Sequence, residues 1–272
     1  MNKNTLADIM QSGFESYLSK TGSLPIHYYK AVHDIMQCRT EEKGGHKERC
    51  ECCGHEKIMY NSCRNRHCPH CQGVARQRWI DARNEDLLPV PYFHAVFTIP
   101  QELNPWALRN KEIFYGILLR SVKETLLELS ADRKRLGAHI GFIMMLHTWG
   151  QSLMDHPHVH CIVPAGGLSE DRSYWIPCKK SFLFPFKVMS KLFRGKLLSY
   201  FRGALDNKTI APVGDLDMFT DKKTLNRLID MLYKKEWVVY AKQPLGRSGG
   251  CSRIPWKLHS PDCNQQQQDC FV

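Results

Sequence analysis

No stretch of this chain reaches the roughly 18 consecutive apolar residues that a membrane-spanning helix needs. The opening Met1-Asn-Lys-Asn-Thr5 holds no apolar core behind its charge. The first absence excludes a helical membrane span and the second a secretory leader. We therefore expect a cytoplasmic protein with no membrane partner. Acidic residues are also scarce: 27 Asp and Glu stand against 38 Lys and Arg, a net charge of +11. Between Lys57 and Ile80 there is none at all. An excess of this sign suits a polyanion, most often nucleic acid. Internal repeats are absent, and no feature of the residues sets an oligomeric state.

What is present is enough material for one large or two modest domains, since 272 residues with 43% hydrophobic content can bury a core. Residues 6–18 and 26–37 read as short amphipathic helices. From Cys38 to Cys71 the apolar period disappears and seven of the 12 cysteines crowd in. In a cytosolic chain such cysteines are poor disulfide candidates and good metal ligands. Tyr92–Ile99, aromatic and β-branched, reads as a strand. Residues 105–130 carry helical spacing behind Pro105. Ile140–Leu146, His158–Val163 and Glu236–Ala241 read as further strands, and Gly166-Gly167 as a turn. Residues 186–205 and 222–234 read as basic amphipathic helices. The expected organisation is α+β. A helical, cysteine-rich domain is expected over 1–85, a domain of strands and helices over 86–246, and an aperiodic tail without structure over 247–272.

Cys50-x-x-Cys53 and Cys68-x-x-Cys71 are two knuckles separated by 14 residues. Each lets two thiolates reach one ion from a tight turn, and together they predict a closed tetrahedral zinc site of the structural kind. Cys38, His46, Cys63 and His67 remain at ligand spacing, for a second zinc or a share in the first. Cys52 lies between two ligands and reads as a bystander. Arg64, Arg66, Arg76 and Arg78, with Trp79 beside them, form a display suited to phosphate contacts and base stacking. A solvated basic face accounts for the same residues.

"HPHVHCIV", His156–Val163, puts three histidines at alternate positions. In a strand, residues i and i+2 share a face roughly 7 Å apart. His158 and His160 therefore make a metal pair with Val159 turned into the core. His156 lies one pleat earlier, and Pro157 bends the chain between. His94 and His147 read as core or sheet-face residues, with His147 also placed to support a ligand.

Four segments then carry a resemblance. "NSCRNRHCPHCQ" (Asn61–Gln72), "HTWGQSLMDHPHVHCIVPAGGLS" (His147–Ser169), "FLFPFKVMSKLFRGKLL" (Phe182–Leu198) and "EWVVYAKQPLG" (Glu236–Gly246) resemble, in order, the rolling-circle transposases of the insertion sequence 91 type. The likeness covers nearly all of residues 20–246. It implies a zinc-binding domain for DNA and a nuclease domain of the His-hydrophobic-His class. In that class the histidine pair on a small antiparallel sheet holds Mg²⁺ or Mn²⁺, the ion polarises the scissile phosphate, and a helical tyrosine attacks it. Carried over, His158 and His160 are the metal pair, and His156 is one candidate third ligand. The DNA partner is the single-stranded end of a mobile element. Lys191 and Arg194, on the basic helix over 186–205, join the arginine display as DNA contacts, or lie on a solvated face. A nucleoid-associated protein of a prokaryote is the expected setting.

The family continues after "KQPLG" into a segment like "YLGRYTHR" with two tyrosines. Here Tyr233 and Tyr240 are the last tyrosines, and neither matches that pattern. Synonymous codons exist for Ser252–Val272, "SRIPWKLHSPDCNQQQQDCFV", that spell VEYLGNYTHRIAISNNRIV one base later. The expectation is a frameshift near Gly246–Gly250, an out-of-frame tail and a chain without its family nucleophile. A zinc-dependent DNA-binding fragment that inhibits the intact enzyme is the alternative function.

Overall fold

The computed structural model describes residues 5–150, 154–178, 183–245 and 269–271. The chain divides into two compact units after Leu87. The first holds helices α1 (Leu6–Thr21) and α2 (Ile26–Met36), a hairpin of β1 (Gly45–Arg49) and β2 (Glu56–Tyr60), and helix α3 (Pro69–Glu85). A capping box starts α1: the Asp8 amide donates to Thr5 Oγ1 at 3.2 Å while the Thr5 amide donates to Asp8 Oδ2 at 2.7 Å. Pro69 opens α3 at the position where a missing N–H costs nothing. The cores of these elements are thin; Ile35 in α2 and Ile80 in α3 are their buried residues. A fold with so little apolar burial needs another source of order, and metal ligation supplies it in domains of this size.

The second unit is built on an antiparallel sheet. Its elements are β3 (Tyr92–Thr98), α4 (Asn104–Arg109), α5 (Lys111–Ala131), β4 (Ile143–Trp149), β5 (Asp155–Pro164), β6 (Gly166–Leu168), β7 (Trp175–Pro177), α6 (Phe186–Asp206), α7 (Lys222–Lys234), β8 (Val239–Leu245) and β9 (Asp269–Phe271). The main sheet runs β8-β3-β5-β4-β9, with every neighbour antiparallel. Strand period two divides its side chains. Phe93, Ala95, Phe97, Met144, Leu146, Val159, Cys161, Val163 and Val239 point to one face and join α5, α6 and α7 in a single core, with Phe114, Leu118, Phe193, Leu197, Phe201 and Leu232. The alternate residues, His158 and His160 among them, point to the other face. The architecture is α+β.

Three expectations change in detail. The single helix over 105–130 is two, because Asn110 leaves helical space at φ −128° and ψ 47° and donates its side-chain amide to the Trp106 carbonyl at 3.2 Å. Gly166 and Gly167 do not merely turn the chain; they form β6, paired with β7. Here the absence of side chains is what matters, since a Cβ on Gly167 would lie 2.4 Å from the His139 carbonyl oxygen. Most of the tail at 247–272 lies outside the described residues, but Asp269–Phe271 pair with β4 as an edge strand rather than lacking structure. Among the described residues no helix is long and apolar enough to cross a membrane.

Candidate metal centres

The first unit gathers four sulfurs. Cys38 follows α2, Cys63 lies in the loop after β2, Cys68 caps α3 and Cys71 sits in its first turn. Their Sγ atoms all lie within 4.8 Å of one another. Cys38 and Cys63 approach Cys71 to 3.6 and 3.5 Å. A tetrahedron with Zn–S bonds of about 2.3 Å has edges of about 3.8 Å, so the sulfurs stand close to zinc spacing. Burial pushes the Cys63 and Cys68 thiols up. Cys71 runs the other way: burial would raise it, but hydrogen bonds from Cys63 and Cys38 outweigh burial and lower it. Four thiols in one half-buried cluster are costly to ionise without a cation, and a zinc ion removes that cost. The Asp34 carboxylate braces the loop, accepting Lys43 Nζ at 2.8 Å and Asn65 Nδ2 at 3.0 Å. Asn65 Oδ1 then accepts the His67 amide at 2.9 Å.

The cysteine spacing therefore misassigned the partners. Cys68 and Cys71 belong to the cluster, but Cys38 and Cys63 complete it instead of Cys50 and Cys53. The latter two lie exposed, with Cys52, at the turn between β1 and β2. The physical reason is the hairpin: its two strands carry the Cys50–Cys53 turn away from the strand ends, where Cys38 and Cys63 enter. Of the second set, Cys38 and Cys63 share in this first cluster, which was one of the two expectations, while His46 and His67 stay outside it. His46 is exposed on β1 with its Nε2 at 3.2 Å from Glu48, and His67 takes Arg66 Nε at 3.3 Å.

The second unit gathers imidazoles. His158 and His160 sit at alternate positions of β5, and the register sets His147 of β4 directly opposite His158. Ligand nitrogens of the three lie within 4.8 Å of one another. Ring centroids are 4.4 Å apart for His147 and His160, 4.8 Å for His158 and His160, and 5.3 Å for His147 and His158. His147 and His160 are buried and His158 half-buried. Burial pulls His158 below its ordinary value and takes His160 down to about 2, with His147, His158 and His94 adding to the second effect. Neutral imidazoles offer lone pairs, which is what a divalent ion requires. The Nδ1 atoms of His158 and His160 are already engaged. That of His158 lies 2.6 Å from the His156 carbonyl oxygen, and that of His160 lies 2.8 Å from His94 Nε2. Both Nε2 atoms remain for a metal.

His156 thus stands next to the cluster without joining it; its backbone carbonyl orients His158, and its ring lies 5.2 Å from that of His158. The third member is His147, which spacing along the chain cannot reveal because it depends on the pairing of two strands. Tyr240 shares this face of the sheet, since Val96 pairs with His160 on one side and Tyr240 on the other. Two strand spacings put its backbone about 10 Å from that of His160. Tyr233 is on α7, in the helical layer behind the opposite face, and is 43% exposed.

Of the basic residues, Arg64, Arg66 and Arg78 are exposed, while Arg76 and Trp79 are half-buried, with the Arg83 guanidinium 5.9 Å from the Trp79 ring centroid. Lys191 is exposed on α6. Arg194 is half-buried and donates to the Lys235 carbonyl at 2.8 Å.

Comparison with known proteins matches two segments of the chain. Residues 9–99 match the family described as "Transposase zinc-binding domain", and residues 141–251 match that described as "Putative transposase". The chain is 44% identical over 239 residues to "Putative transposase y4qJ" of Sinorhizobium fredii, covering 88% of this chain and 60% of that protein. It is 36% identical over 162 residues to "Transposase for insertion sequence element IS801" of Pseudomonas savastanoi pv. phaseolicola, covering 57% of this chain and 37% of that one. The chain therefore spans between about a third and three-fifths of the length of these relatives. With the four-cysteine cluster in the matched zinc-binding segment and the histidine cluster in the matched transposase segment, the chain belongs to the insertion sequence 91 type of transposases.

Proposed function

We propose that this chain is the DNA-binding and metal-binding part of a rolling-circle transposase. Its first unit grips element-end DNA, and its second holds a divalent ion, Mg²⁺ or Mn²⁺, on the histidine face of the sheet. The observation that carries this reading is the convergence of His147, His158 and His160 with the Nδ1 atoms of the latter two engaged. An ion bound there supplies Lewis-acid stabilisation of charge on a phosphodiester oxygen. The chain's own residues provide a rigid, neutral, buried cradle for it, while Arg64, Arg66 and Arg78 contact the phosphate backbone of single-stranded DNA.

The family reaction needs a tyrosine oxygen to attack phosphorus, forming a phosphotyrosine bond as the P–O3′ bond breaks and the 3′-oxygen leaves as a hydroxyl. No tyrosine follows Tyr240 in the 272 residues. We therefore infer that this chain binds DNA and metal but does not cut. Tyr240, on the correct face, is the residue that puts the inference at risk. A single-stranded element-end oligonucleotide incubated with the protein and Mn²⁺ should yield neither a 3′-hydroxyl product nor a covalent protein–DNA adduct. An adduct that disappears in Tyr240→Phe would reverse the inference.

A second reading is favoured by the four-cysteine cluster, which is complete without any residue of the histidine face. A chain that binds element ends and cannot cut them inhibits an intact transposase by competition. Added to a cleavage reaction run by an intact relative, it should lower the rate in proportion to its occupancy of the DNA. A cytoplasmic, nucleoid-associated location accords with both readings.

A further inference from the structure

We propose that His94 is a positioning residue for the divalent-ion site, accepting the Nδ1–H of His160 and so fixing the tautomer that leaves the His160 Nε2 lone pair for the metal. This rests on the reading that the three imidazoles bind an ion. The geometry is direct. His94 Nε2 and His160 Nδ1 are 2.8 Å apart, and the rings are parallel to within 2° with centroids 5.0 Å apart. A neutral imidazole has one N–H and one lone pair. If the lone pair of His160 at Nε2 is to serve a metal, its Nδ1 must carry the proton, and His94 Nε2 must accept it. His94 in turn carries its own proton on Nδ1.

The fold holds His94 for this task. It lies on β3, diagonal to His160 across a directly paired strand, because Val96 is the residue opposite His160 and His94 is opposite Ile162. The Tyr240 ring meets His94 edge-on at 6.4 Å and 81°, and Lys242 is its cross-strand partner on β8. Motion of the imidazole is thus limited from the side away from the metal. Hydrogen-bond partners of this kind hold ligating histidines in tautomer and orientation, and their removal costs about 10- to 100-fold in metal affinity. The partner in such pairs is often a carboxylate. A histidine brings no negative charge, so the full charge of the ion stays available to an anionic phosphodiester.

The test is a Mn²⁺ titration of the zinc-loaded full chain, with free Mn²⁺ read by its electron paramagnetic resonance signal. Four proteins are compared: wild type, His94→Phe, His94→Gln and His160→Ala. Phenylalanine keeps the packing against Tyr240 but removes the acceptor, and glutamine restores a carbonyl oxygen at the reach of Nε2. The proposal expects His94→Phe to bind Mn²⁺ about 10- to 100-fold more weakly and His94→Gln to recover most of that affinity. It is overturned if His94→Phe binds within twofold of wild type while His160→Ala loses binding. It is equally overturned if Phe and Gln variants lose affinity alike, since His94 would then act through packing. If His160→Ala binds Mn²⁺ as wild type does, the ion site itself is wrong and the role of His94 falls with it.

Discussion

His147 and Cys38 are the residues on which the two centres turn, and each can be tested alone. Replacing Cys38, Cys63, Cys68 or Cys71 by serine should release zinc and melt the first unit. Its buried apolar set is too small to stand alone, and structural zinc in small domains is worth about 10–16 kcal/mol of folding free energy. Replacing Cys50 or Cys53 should leave the zinc of that cluster in place. Zinc content after gel filtration, with circular dichroism, checks both statements; loss of this zinc in Cys53→Ser would restore the grouping expected from spacing. The histidines make a pH prediction. Burial, aided by Lys242, holds His94 down to about 4, and His160 falls to about 2. Both folded values lie below the unfolded one of about 6.5, so in acid the unfolded chain binds more protons than the folded one. Stability of the second unit is therefore complete above about pH 6.5 and lost as pH falls below it, by up to about 1.4 kcal/mol per pH unit for each histidine. A bound ion competes with protons for the same His160 lone pair and strengthens the trend. Thermal melts of metal-free protein from pH 7 to pH 5 should show it, and His94→Phe should flatten it.

At the scale of elements, the contrast is between strands and helices that carry their own core and a region that does not. β5 reads plainly because Val159, Cys161 and Val163 alternate with histidines, and α6 because Met189, Phe193, Leu197 and Phe201 recur on one face. Helix α3 could not be read: Ile80 alone is buried, so no apolar period marks it. Strands β1 and β2 are exposed along nearly all their length, for the same reason. The four cluster cysteines stand before, after and at the start of these elements, not along a buried face of them, and so leave no periodic trace. The glycines of β6 yield a packing prediction. Gly167→Ala would set a Cβ 2.4 Å from backbone, which cannot give way as a side-chain tip can. A destabilisation of about 1–3 kcal/mol, the usual cost of overpacking, should show in denaturant melts. The exposed arginines around α3 yield another. Replacing Arg64, Arg66 and Arg78 together by glutamine should weaken single-stranded DNA binding. The slope of log K against log salt should become shallower by about 0.7 for each phosphate that the variant no longer neutralises. An unchanged slope would mean a solvated face.

Across the whole molecule, the order of the two segments and the α+β class were legible, because each rests on local pattern: a cysteine-dense stretch, then alternating and helical apolar runs. Which distant residues meet was not. Cys-x-x-Cys spacing shows that two thiols share a turn, but it does not say which turns close on one ion. The pairing of β4 with β5, which sets His147 against His158, exists only in the folded sheet. His94 lay in plain view on a strand, yet its contact with His160 required the same register. The result is a molecule with two centres of opposite type. One is made of four thiols, closed and structural. The other is made of three imidazoles backed by a fourth, set on the face of the sheet that the core does not use.

We propose that His147, not His156, completes the ion site with His158 and His160. The measurement that bears on it most directly is Mn²⁺ affinity of the zinc-loaded protein compared with His147→Ala and His156→Ala. His147→Ala should lose at least tenfold in affinity, on the order of what a ligand's own supporting contacts are worth, while His156→Ala should stay near wild type. Weakened binding in His156→Ala with His147→Ala unaffected would contradict it.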